Sequence, residues 1–202
     1  NEVLGPRVKN SLVLASRNEH KIQELESLLS GTTLSVQSAL DFDFLEEVEE
    51  DALTLEGNAL KKARYTALAT GMASIADDTG LEVHALGGAP GVYSARYAGP
   101  NASYQDNVDK LLSELEGVET RMAQFRTVIA LVDGTNEWLF EGICAGSIAR
   151  EESGSGGFGY DPIFIPDLYS VTFAELDAKE KNRISHRGLA MKKAVAFLEK
   201  WV

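Results

Sequence analysis

The chain has 202 residues and a formal net charge of −12 at pH 7, and its 44% hydrophobic and 25% charged residues are ordinary for a folded globular domain. A negative charge of this size repels nucleic-acid backbones and acidic membrane surfaces, so we expect neither as a partner. No apolar run approaches the roughly 18 residues of a membrane span and no signal-peptide pattern is found, so we expect neither a membrane helix nor a leader.

Cys144 is the only cysteine of the sequence. A single cysteine excludes an intramolecular disulfide and fits a reducing compartment, so we expect a cytoplasmic protein. The neighbours Ile143 and Ala145 are apolar, which predicts a buried and unreactive thiol.

The length allows one large domain or two small ones. Residues 1–10 lack periodicity and are expected to be a loose tail or residues added to the natural chain. No internal repeat, low-complexity tract or linker divides the remainder, so residues 11–202 are expected to form one domain.

A strand and a helix are predicted at the start of this domain. Residues 11–15 form a short apolar run, and residues 22–29 carry Ile and Leu at helical spacing. Asn18 is the expected N-cap, and Gly31 suits the end of the helix. Lys21 then lies in the first turn, where a cation opposes the helix dipole. An anion at the free N–H groups would offset this, which favours phosphate binding over a solvated helix end.

A second strand is predicted over residues 34–37, and residues 46–51 then carry five carboxylates. Most acidic runs of this kind are solvated. Thr54 is expected to cap the next helix, which ends at Gly71. The apolar stripe of that helix is predicted to consist of Ala59, Leu60, Ala63, Ala67 and Leu68.

Two polar residues share one face of the same predicted helix. Asn58 and Lys62 are four positions apart and therefore neighbours on the helix surface. They are either a solvated pair or a polar pair beside the alanine-rich stripe.

The central stretch, residues 75–83, places two adjacent carboxylates where a buried strand is expected to end. A Thr-Gly turn is predicted after Asp77 and Asp78, with a second strand beyond it. Successive strand residues point to opposite faces, so we expect one aspartate to hold the turn and the other to face an open site. Two like charges this close need compensation, and hard oxygen ligands suit Mg²⁺. The alternative is a polar turn closed by an aspartate cap.

A third helix and a hairpin follow and are expected to be structural. Ser103 or Asn101 caps a helix that ends at Gly117. The apolar runs 125–132 and 138–148, with Asp-Gly between them, predict the hairpin.

Residues 154–162 combine four glycines with two aromatic side chains. Glycine lets the backbone approach a ligand closely, and exposed aromatic rings offer a stacking face for a base. A flexible linker is the alternative, but such linkers seldom carry Phe158, Tyr160 and Asp161.

The last helix is predicted to begin after Ser185, and a capping box at residues 172–175 opens a short helix before it. His186 and Arg187 would lie in the first turn of the last helix, again as cations at the positive end of a dipole. Two helix N-termini with unexpected cations, here and at Lys21, indicate a shared anion. Strands that alternate with helices, plus one hairpin, predict an α/β fold with a mixed β-sheet and flanking helices, in two lobes around a central cleft.

Six segments, in order and spacing, closely resemble the inosine/xanthosine triphosphate pyrophosphatases. They are Ser16-Arg-Asn-Glu-His-Lys21, Asn58-Ala-Leu-Lys-Lys-Ala63, Ala76-Asp-Asp-Thr-Gly-Leu81, Gly88-Ala-Pro-Gly-Val-Tyr-Ser-Ala-Arg-Tyr97, Gly157-Phe-Gly-Tyr-Asp-Pro162 and Ile184-Ser-His-Arg-Gly188. The resemblance runs from about Ser11 to the C-terminus. It implies a homodimer that uses Mg²⁺ to hydrolyse dITP, ITP and XTP to the monophosphate and pyrophosphate.

The resemblance also implies roles for individual residues. Asp78 would be the general base and, with Glu50, a ligand of Mg²⁺, although Glu49 is an alternative to Glu50. Thr79 stands where family members often have Ser, and it keeps the hydroxyl. The residues implied to hold the triphosphate are Ser16, Arg17, Asn18, Glu19, His20, Lys21 and Lys62. Those implied to bind the rest of the substrate are Thr79, Phe158, Gly159, Tyr160, Asp161, Lys181, His186 and Arg187, the last two reading the base.

Two other functions stay open at this stage. One is a Maf-like nucleotide pyrophosphatase with similar chemistry and another base preference. The other is a nucleotide-binding sensor that does not hydrolyse its ligand.

Overall fold

The structure is a computed structural model and describes residues 10–201. The tail predicted over residues 1–10 therefore lies outside the described residues, apart from Asn10. None of the helices found between residues 10 and 201 combines the length and the apolar character that crossing a bilayer requires.

Within residues 10–201, seven strands form one sheet and five α-helices flank it. The strands are β1 (Ser11–Leu14), β2 (Ser35–Ser38), β3 (Ser74–Val83), β4 (Pro90–Gly91), β5 (Met122–Asp133), β6 (Asn136–Ile148) and β7 (Phe164–Pro166). The helices are α1 (Glu19–Leu29), α2 (Leu55–Thr70), α3 (Tyr104–Glu114), α4 (Ala178–Ile184) and α5 (His186–Trp201). The sheet order is β2-β1-β3-β5-β6-β7, and β4 pairs with β3.

The sheet is mixed, as predicted. β1 pairs in parallel with β2 and β3, whereas β5 pairs antiparallel with β3 and β6. The β5–β6 hairpin is longer than the two apolar runs from which it was predicted. β3 therefore joins the parallel half of the sheet to the antiparallel half.

The predicted turn after the two aspartates is wrong. β3 continues through residues 77–80, and all ten of its residues have partners in β5. Glycine is required at position 80 by close packing and not by a turn. A Cβ at Gly80 would lie 2.6 Å from the carbonyl oxygen of Gly91. The missing side chain lets the backbone of β4 pack directly on β3.

The helices begin where capping residues were predicted. Asn18 accepts hydrogen bonds from two N–H groups of α1, and Thr54 accepts one from α2. Ser103 caps α3 within a capping box, and Ser185 accepts from the N–H of Gly188 at 3.0 Å in the first turn of α5. Local hydrogen-bond chemistry thus fixes the four helix starts that surround the site.

One member of the predicted α2 stripe is misplaced. Leu68 is 87% exposed, and the buried face of α2 instead includes Asn58, Lys62 and Thr66. Compared with the predicted stripe, the buried face of α2 is therefore rotated about the helix axis, away from Leu68 and toward these polar side chains. The solvated interpretation of Asn58 and Lys62 is therefore wrong.

The two faces of the sheet carry different core clusters. α1 and α5 cover one face, where they pack on residues that include Leu14, Ile75 and Ile129. α2 covers the other face through Ala59 and Ala63, which pack against Ala76 and its neighbours. A third cluster joins α3 to the end of β3 and to aromatic rings of β5 and β7.

We expect Gly142→Ala to lower the free energy of unfolding by about 2 kcal/mol or more, because overpacking at a backbone contact cannot be relieved by a rotamer change. A Cβ at Gly142 of β6 would meet the carbonyl oxygen of His186 and lie 2.5 Å from the nitrogen of Ala190. Urea denaturation measures this change. Ala145→Ser, at an exposed position of the same strand, is the control, and equal stabilities would contradict the close contact between α5 and β6.

Candidate active site

Two adjoining cavities lie beside the carboxyl end of β1 and the middle of β3. The outer cavity measures about 760 Å³ and the inner one about 100 Å³. Asn18, Lys21 and Glu50 line both cavities. The two spaces therefore form one cleft with a wide outer end and a narrow inner end.

The structure brings most of the sequence-predicted site residues to this cleft. Those that line the inner cavity are Asn18, Lys21, Glu50, Asp78, Thr79, Phe158, Gly159, Tyr160, Asp161, Lys181, His186 and Arg187. Ser16, Arg17 and Lys62 line the outer cavity. Glu19 and His20 are not among the described residues that line either one.

Asp77 is the most buried carboxylate of the site, with 1% of its surface exposed. Its Oδ2 lies 3.4 Å from the Lys21 ammonium and accepts a hydrogen bond from Arg187 Nε at 3.2 Å. Burial alone would raise the pKa of Asp77, but Lys21, Arg187 and Lys62 hold it far below its ordinary value. Asp77 therefore stays ionised inside the protein and does not hold a turn.

This contact changes the interpretation of the two cationic helix ends. Lys21 lies in the first turn of α1 and Arg187 in the first turn of α5, and both cations meet at the carboxylate of Asp77. The shared anion that the sequence indicated is thus, in this structure, a side chain of the protein itself. His186 is not a cation, because burial and the neighbouring Arg187 and Lys181 hold its pKa well below the ordinary value.

Asp78 follows on the opposite face of β3, the face that α2 covers. Its Oδ2 is buried and has no hydrogen-bond partner among residues 10–201. Burial raises the pKa of Asp78 to about 6, helped by the nearby charge of Glu50 and opposed by Lys62 and Lys21. A carboxylate that has a raised pKa and one oxygen without a hydrogen-bond partner is suited to accept a proton near neutral pH.

Lys62 connects α2 to the backbone of β3 and to Glu50. Its ammonium donates to the carbonyl oxygen of Asp77 at 2.6 Å and pairs with Glu50 Oε1 at 2.7 Å. Asn58, one turn earlier on α2, accepts from the N–H of Ala52 at 2.9 Å and fixes the chain just after Glu50. The buried polar face of α2 thus brings Glu50 beside the cleft.

Two carboxylates beside the inner cavity have the chemistry of Mg²⁺ ligands. No group of three or more His, Cys, Asp or Glu side chains between residues 10 and 201 forms a closed metal site. Mg²⁺ commonly uses only one or two protein carboxylates and takes phosphate and water oxygens for the rest. Glu50 and Asp78 both line the inner cavity and are such a pair, whereas Glu49 is exposed and lines only the outer cavity.

Glu24 belongs to the site although the sequence analysis missed it. Its carboxylate accepts from Lys181 at 2.6 Å and from Arg187 at 2.5 Å. Burial opposes ionisation, but Arg187 and Lys181 hold the pKa of Glu24 below its ordinary value. The three-residue spacing from Lys21, which puts both on one face of α1, is the sequence signal that could have revealed it.

Arg187 is held in a fixed orientation by three partners. Besides Glu24 and Asp77, its guanidinium donates to Thr79 Oγ1 at 3.2 Å, and Thr79 is in turn hydrogen-bonded to Thr127 at 2.7 Å. The neighbouring His186 stacks on the ring of Phe125 in the core, with the two centroids 4.4 Å apart. Its Nδ1 is buried without a partner in the described part of the chain, and the side chain lines the inner cavity.

The glycine-rich segment is folded onto the core, so the linker alternative is wrong. Asp161 is buried, accepts from the N–H of Phe158 at 3.0 Å and pairs with Lys181 at 2.6 Å. Tyr160 is also buried, and its hydroxyl donates to the carbonyl oxygen of Ser94 at 2.6 Å. The aromatic ring available for stacking is therefore that of the half-buried Phe158 and not that of Tyr160.

Cations surround the Phe158 ring. The Lys181 ammonium lies 5.0 Å and the Arg187 guanidinium carbon 5.4 Å from the ring centroid. The inner cavity thus combines the Phe158 ring, which is available for stacking, with fixed hydrogen-bond donors and an ionisable carboxylate. Such a set suits a planar polar ligand that carries phosphate.

Comparison with known proteins agrees with this chemistry. A protein of Desulforamulus reducens called dITP/XTP pyrophosphatase is 51% identical over 192 residues, which cover 94% of this chain and 96% of the relative. A protein of Christiangramia forsetii with the same name is 46% identical over 189 residues, covering 94% and 99%.

Solved structures show the same fold. A HAM1 protein from Coxiella burnetii matches with a TM-score of 0.86 and 41% identity over 94% of this chain and 98% of the other. The Ham1 protein of Staphylococcus aureus matches with a TM-score of 0.85 and 40% identity, covering 95% and 100%. Residues 12–197, which include every residue of the cleft described above, match the Ham1 family. The chain belongs to the Ham1 family.

Proposed function

We propose that this protein hydrolyses the non-standard purine nucleoside triphosphates dITP, ITP and XTP to the monophosphate and pyrophosphate, and so removes them from the nucleotide pool. The observation that carries the proposal is the inner cavity. Asp78 lines it together with Phe158 and Arg187, and one buried oxygen of its carboxylate has no hydrogen-bond partner among the described residues. The names of the relatives support the same reaction.

The triphosphate is assigned to the wide end of the cleft. The segment from Ser16 to Lys21 leads into the N-terminus of α1, and Lys62 faces it from α2. The ammonium groups of Lys21 and Lys62 are donors of the kind that phosphate oxygens require. Arg17 donates to the carbonyl oxygen of Leu45 at 2.9 Å and lacks a carboxylate partner among the described residues, so its charge is available to phosphate.

Asp78 is assigned as the general base. It orients a water molecule for in-line attack on the α-phosphorus and accepts its proton. The new bond joins the water oxygen to that phosphorus, and the bond to the bridging oxygen of the β-phosphate breaks. Lys21 and Lys62 offset the charge of the departing pyrophosphate, and positioning and charge account for most of the acceleration.

Glu50 and Asp78 are the residues that would hold Mg²⁺. The ion, when bound, neutralises charge on the phosphate oxygens. We infer this requirement from the donor set of the cleft and from the family resemblance.

The base is assigned to the narrow end of the cleft. Hypoxanthine and xanthine carry a 6-keto acceptor, toward which Arg187 can donate, while Phe158 stacks on the ring. Adenine presents a 6-amino donor there, and a donor facing a donor leaves both unpaired. His186, Lys181 and the segment 159–161 complete the proposed base site.

The assembly and the compartment are also proposals. We propose a homodimer on the family resemblance, which sedimentation equilibrium would measure. We propose the cytoplasm as the compartment because the single thiol of Cys144 fits reducing conditions. Neither nucleic acid nor membrane is proposed as a partner, given the net charge of −12.

The first test identifies the bond that breaks. ITP with Mg²⁺ should give IMP and pyrophosphate, ¹⁸O from labelled water should appear in IMP alone, and EDTA should abolish turnover. ATP should react much more slowly than ITP. Mass spectrometry identifies the products and the position of the label. If IDP and orthophosphate were the first products, water would attack the γ-phosphorus, and the assignment of attack to the α-phosphorus would be overturned.

The same assay separates the two alternative functions. Preference for dTTP or methylated GTP over ITP would indicate the Maf-like activity. Tight binding of ITP with no product in the presence of Mg²⁺ would indicate a sensor.

The second test separates the two aspartates. Asp78→Asn should lower kcat by about 10³-fold, as expected for loss of a positioned base. It should keep or raise the melting temperature at pH 7, because the raised pKa means that the ionised carboxylate destabilises the folded state there. Thermal denaturation and steady-state kinetics measure the two effects.

Asp77→Asn should behave in the opposite way with respect to stability. It removes the carboxylate that pairs with Lys21 and Arg187 and should lower the free energy of unfolding by about 3 kcal/mol at pH 7. A depressed pKa contributes stability above about pH 4, so the difference from wild type should shrink as the pH falls below 4. Equal stability of the two variants across this range would contradict the division of roles.

The third test distinguishes the two candidate metal ligands. Glu50→Gln should raise the Mg²⁺ concentration for half-maximal activity by about tenfold or more, because Glu50 lines the inner cavity beside Asp78. Glu49→Gln is the matched control and should shift that concentration by less than twofold. A magnesium titration of the initial rate measures both, and the reverse ranking would assign the ligand to Glu49.

A further inference from the structure

Tyr104 lies at the mouth of the inner cavity and has no role in the function proposed above. Its ring lies 6.0 Å from the Phe158 ring, tilted by 47°, and 5.9 Å edge-to-face from the His20 ring, between centroids. It lines the inner cavity and is 42% exposed. Three aromatic side chains from α1, α3 and the glycine-rich segment thus meet at one point of the rim.

The ring of Tyr104 is held in place although it is exposed. Tyr104 is the first residue of α3, whose start is fixed by reciprocal hydrogen bonds between Ser103 and Asp106 at 2.9 and 3.0 Å. Its hydroxyl accepts from the side-chain amide of Asn18 at 3.2 Å, and Asn18 is itself fixed as the cap of α1. A ring held at both ends has little side-chain entropy to lose when a ligand binds.

The fold makes no use of this ring in its core. The buried side chains of α3 are Asn107, Val108 and Leu111, of which Val108 and Leu111 pack in the core cluster at the end of β3. Tyr104 is turned instead toward the cleft. An apolar ring fixed at a cavity rim is a surface that a ligand can cover.

The rim already accommodates one flat aromatic ring. The His20 imidazole stacks on Phe158 with centroids 5.2 Å apart and planes 17° from parallel, and it meets Tyr104 edge-to-face at 64°. His20 is exposed. A purine that took its position would make the same stacked and edge-to-face contacts, both of which are favourable between aromatic rings.

The position of Tyr104 also indicates which part of a nucleotide this side chain would contact. Lys62, which is assigned to phosphate, lines only the outer cavity, whereas Tyr104 shares the inner cavity with Phe158 and Arg187, which are assigned to the base. Its nearest described partners are aromatic, and its hydroxyl is engaged by Asn18. The phosphate end of the substrate is therefore not its partner.

We propose that Tyr104 contacts the purine base edge-to-face while Phe158 stacks on it, which makes Tyr104 an affinity- and specificity-determining residue of the reaction. The inference rests on the proposed function and deepens it. It assigns to the start of α3 a part of the base site that neither the sequence motifs nor the family resemblance includes.

Calorimetric titration with IMP and, separately, with pyrophosphate in Mg²⁺ tests the contact without requiring turnover. Tyr104→Ala should raise the Kd of IMP by about 3- to 10-fold and leave the Kd of pyrophosphate unchanged. Tyr104→Phe keeps the ring and should stay within twofold of wild type for both ligands. Gln105→Ala is the control, because Gln105 bonds to Asp109 and Glu152 at 2.8 and 3.0 Å and not to the cleft.

Steady-state kinetics with ITP give a second measurement. Tyr104→Ala should raise KM by the same factor and leave kcat within twofold of wild type. An unchanged Kd of IMP, or an equal rise for IMP and pyrophosphate, would overturn the base contact. If Tyr104→Phe raised the Kd of IMP as much as Tyr104→Ala does, the hydrogen bond between the Tyr104 hydroxyl and Asn18, and not the aromatic ring, would account for the loss of affinity.

The outcome for wild type separates this inference from the proposed function. Wild-type protein that bound IMP but released no product from ITP would overturn the reaction, and the Tyr104 variants would still decide the contact. Wild-type protein that hydrolysed ITP but bound IMP too weakly for calorimetry would leave the reaction standing, and the effect of Tyr104→Ala on the KM of ITP would then decide the contact.

Discussion

The ionic contact at Asp77 is the interaction on which the rest of the site depends. The buried carboxylate of Asp77 in β3 pairs with Lys21 of α1 and with Arg187 of α5. The backbone carbonyl oxygen of Asp77 accepts a hydrogen bond from Lys62 of α2. Helices on both faces of the sheet are therefore held in position by a single residue of β3. A buried charge is tolerated only with such partners, so the positions of the three helix segments are set together and not one by one.

Because side chains alternate along β3, the adjacent residues Asp77 and Asp78 point to opposite faces of the sheet. Asp77 points to the face of α1 and α5, where cations hold its pKa far below the ordinary value. Asp78 points to the face of α2, where burial and Glu50 raise its pKa to about 6. Adjacent carboxylates whose pKa values are pushed apart are the usual sign of different chemical roles. An uninterrupted strand produces this separation, because a turn would not hold the two side chains on opposite faces.

Features set by short-range chemistry could be predicted from the sequence, and those set by distant partners could not. The caps Asn18, Thr54 and Ser103 were predicted correctly, because a capping side chain and the N–H groups it satisfies are neighbours in the chain. The predicted turn at residues 77–80 failed because Asp and Gly are poor strand formers locally, whereas continuous pairing with β5 holds them extended. Glu24 was missed for a related reason, since its partners Lys181 and Arg187 lie 157 and 163 positions away.

The two cations at Asp77 differ in how firmly they are held, and this difference fits the two ends of a nucleotide. Arg187 is bonded to Glu24, Asp77 and Thr79, so its remaining N–H groups point in fixed directions. A fixed planar donor distinguishes a keto group from an amino group, which is a matter of hydrogen-bond direction. Lys21 lies farther from the carboxylate, at 3.4 Å, and its flexible side chain also lines the outer cavity. It can turn toward phosphate while Arg187 continues to neutralise Asp77. Phosphate is attracted by charge with little demand on direction, so the flexible cation suits the triphosphate and the rigid one suits the base.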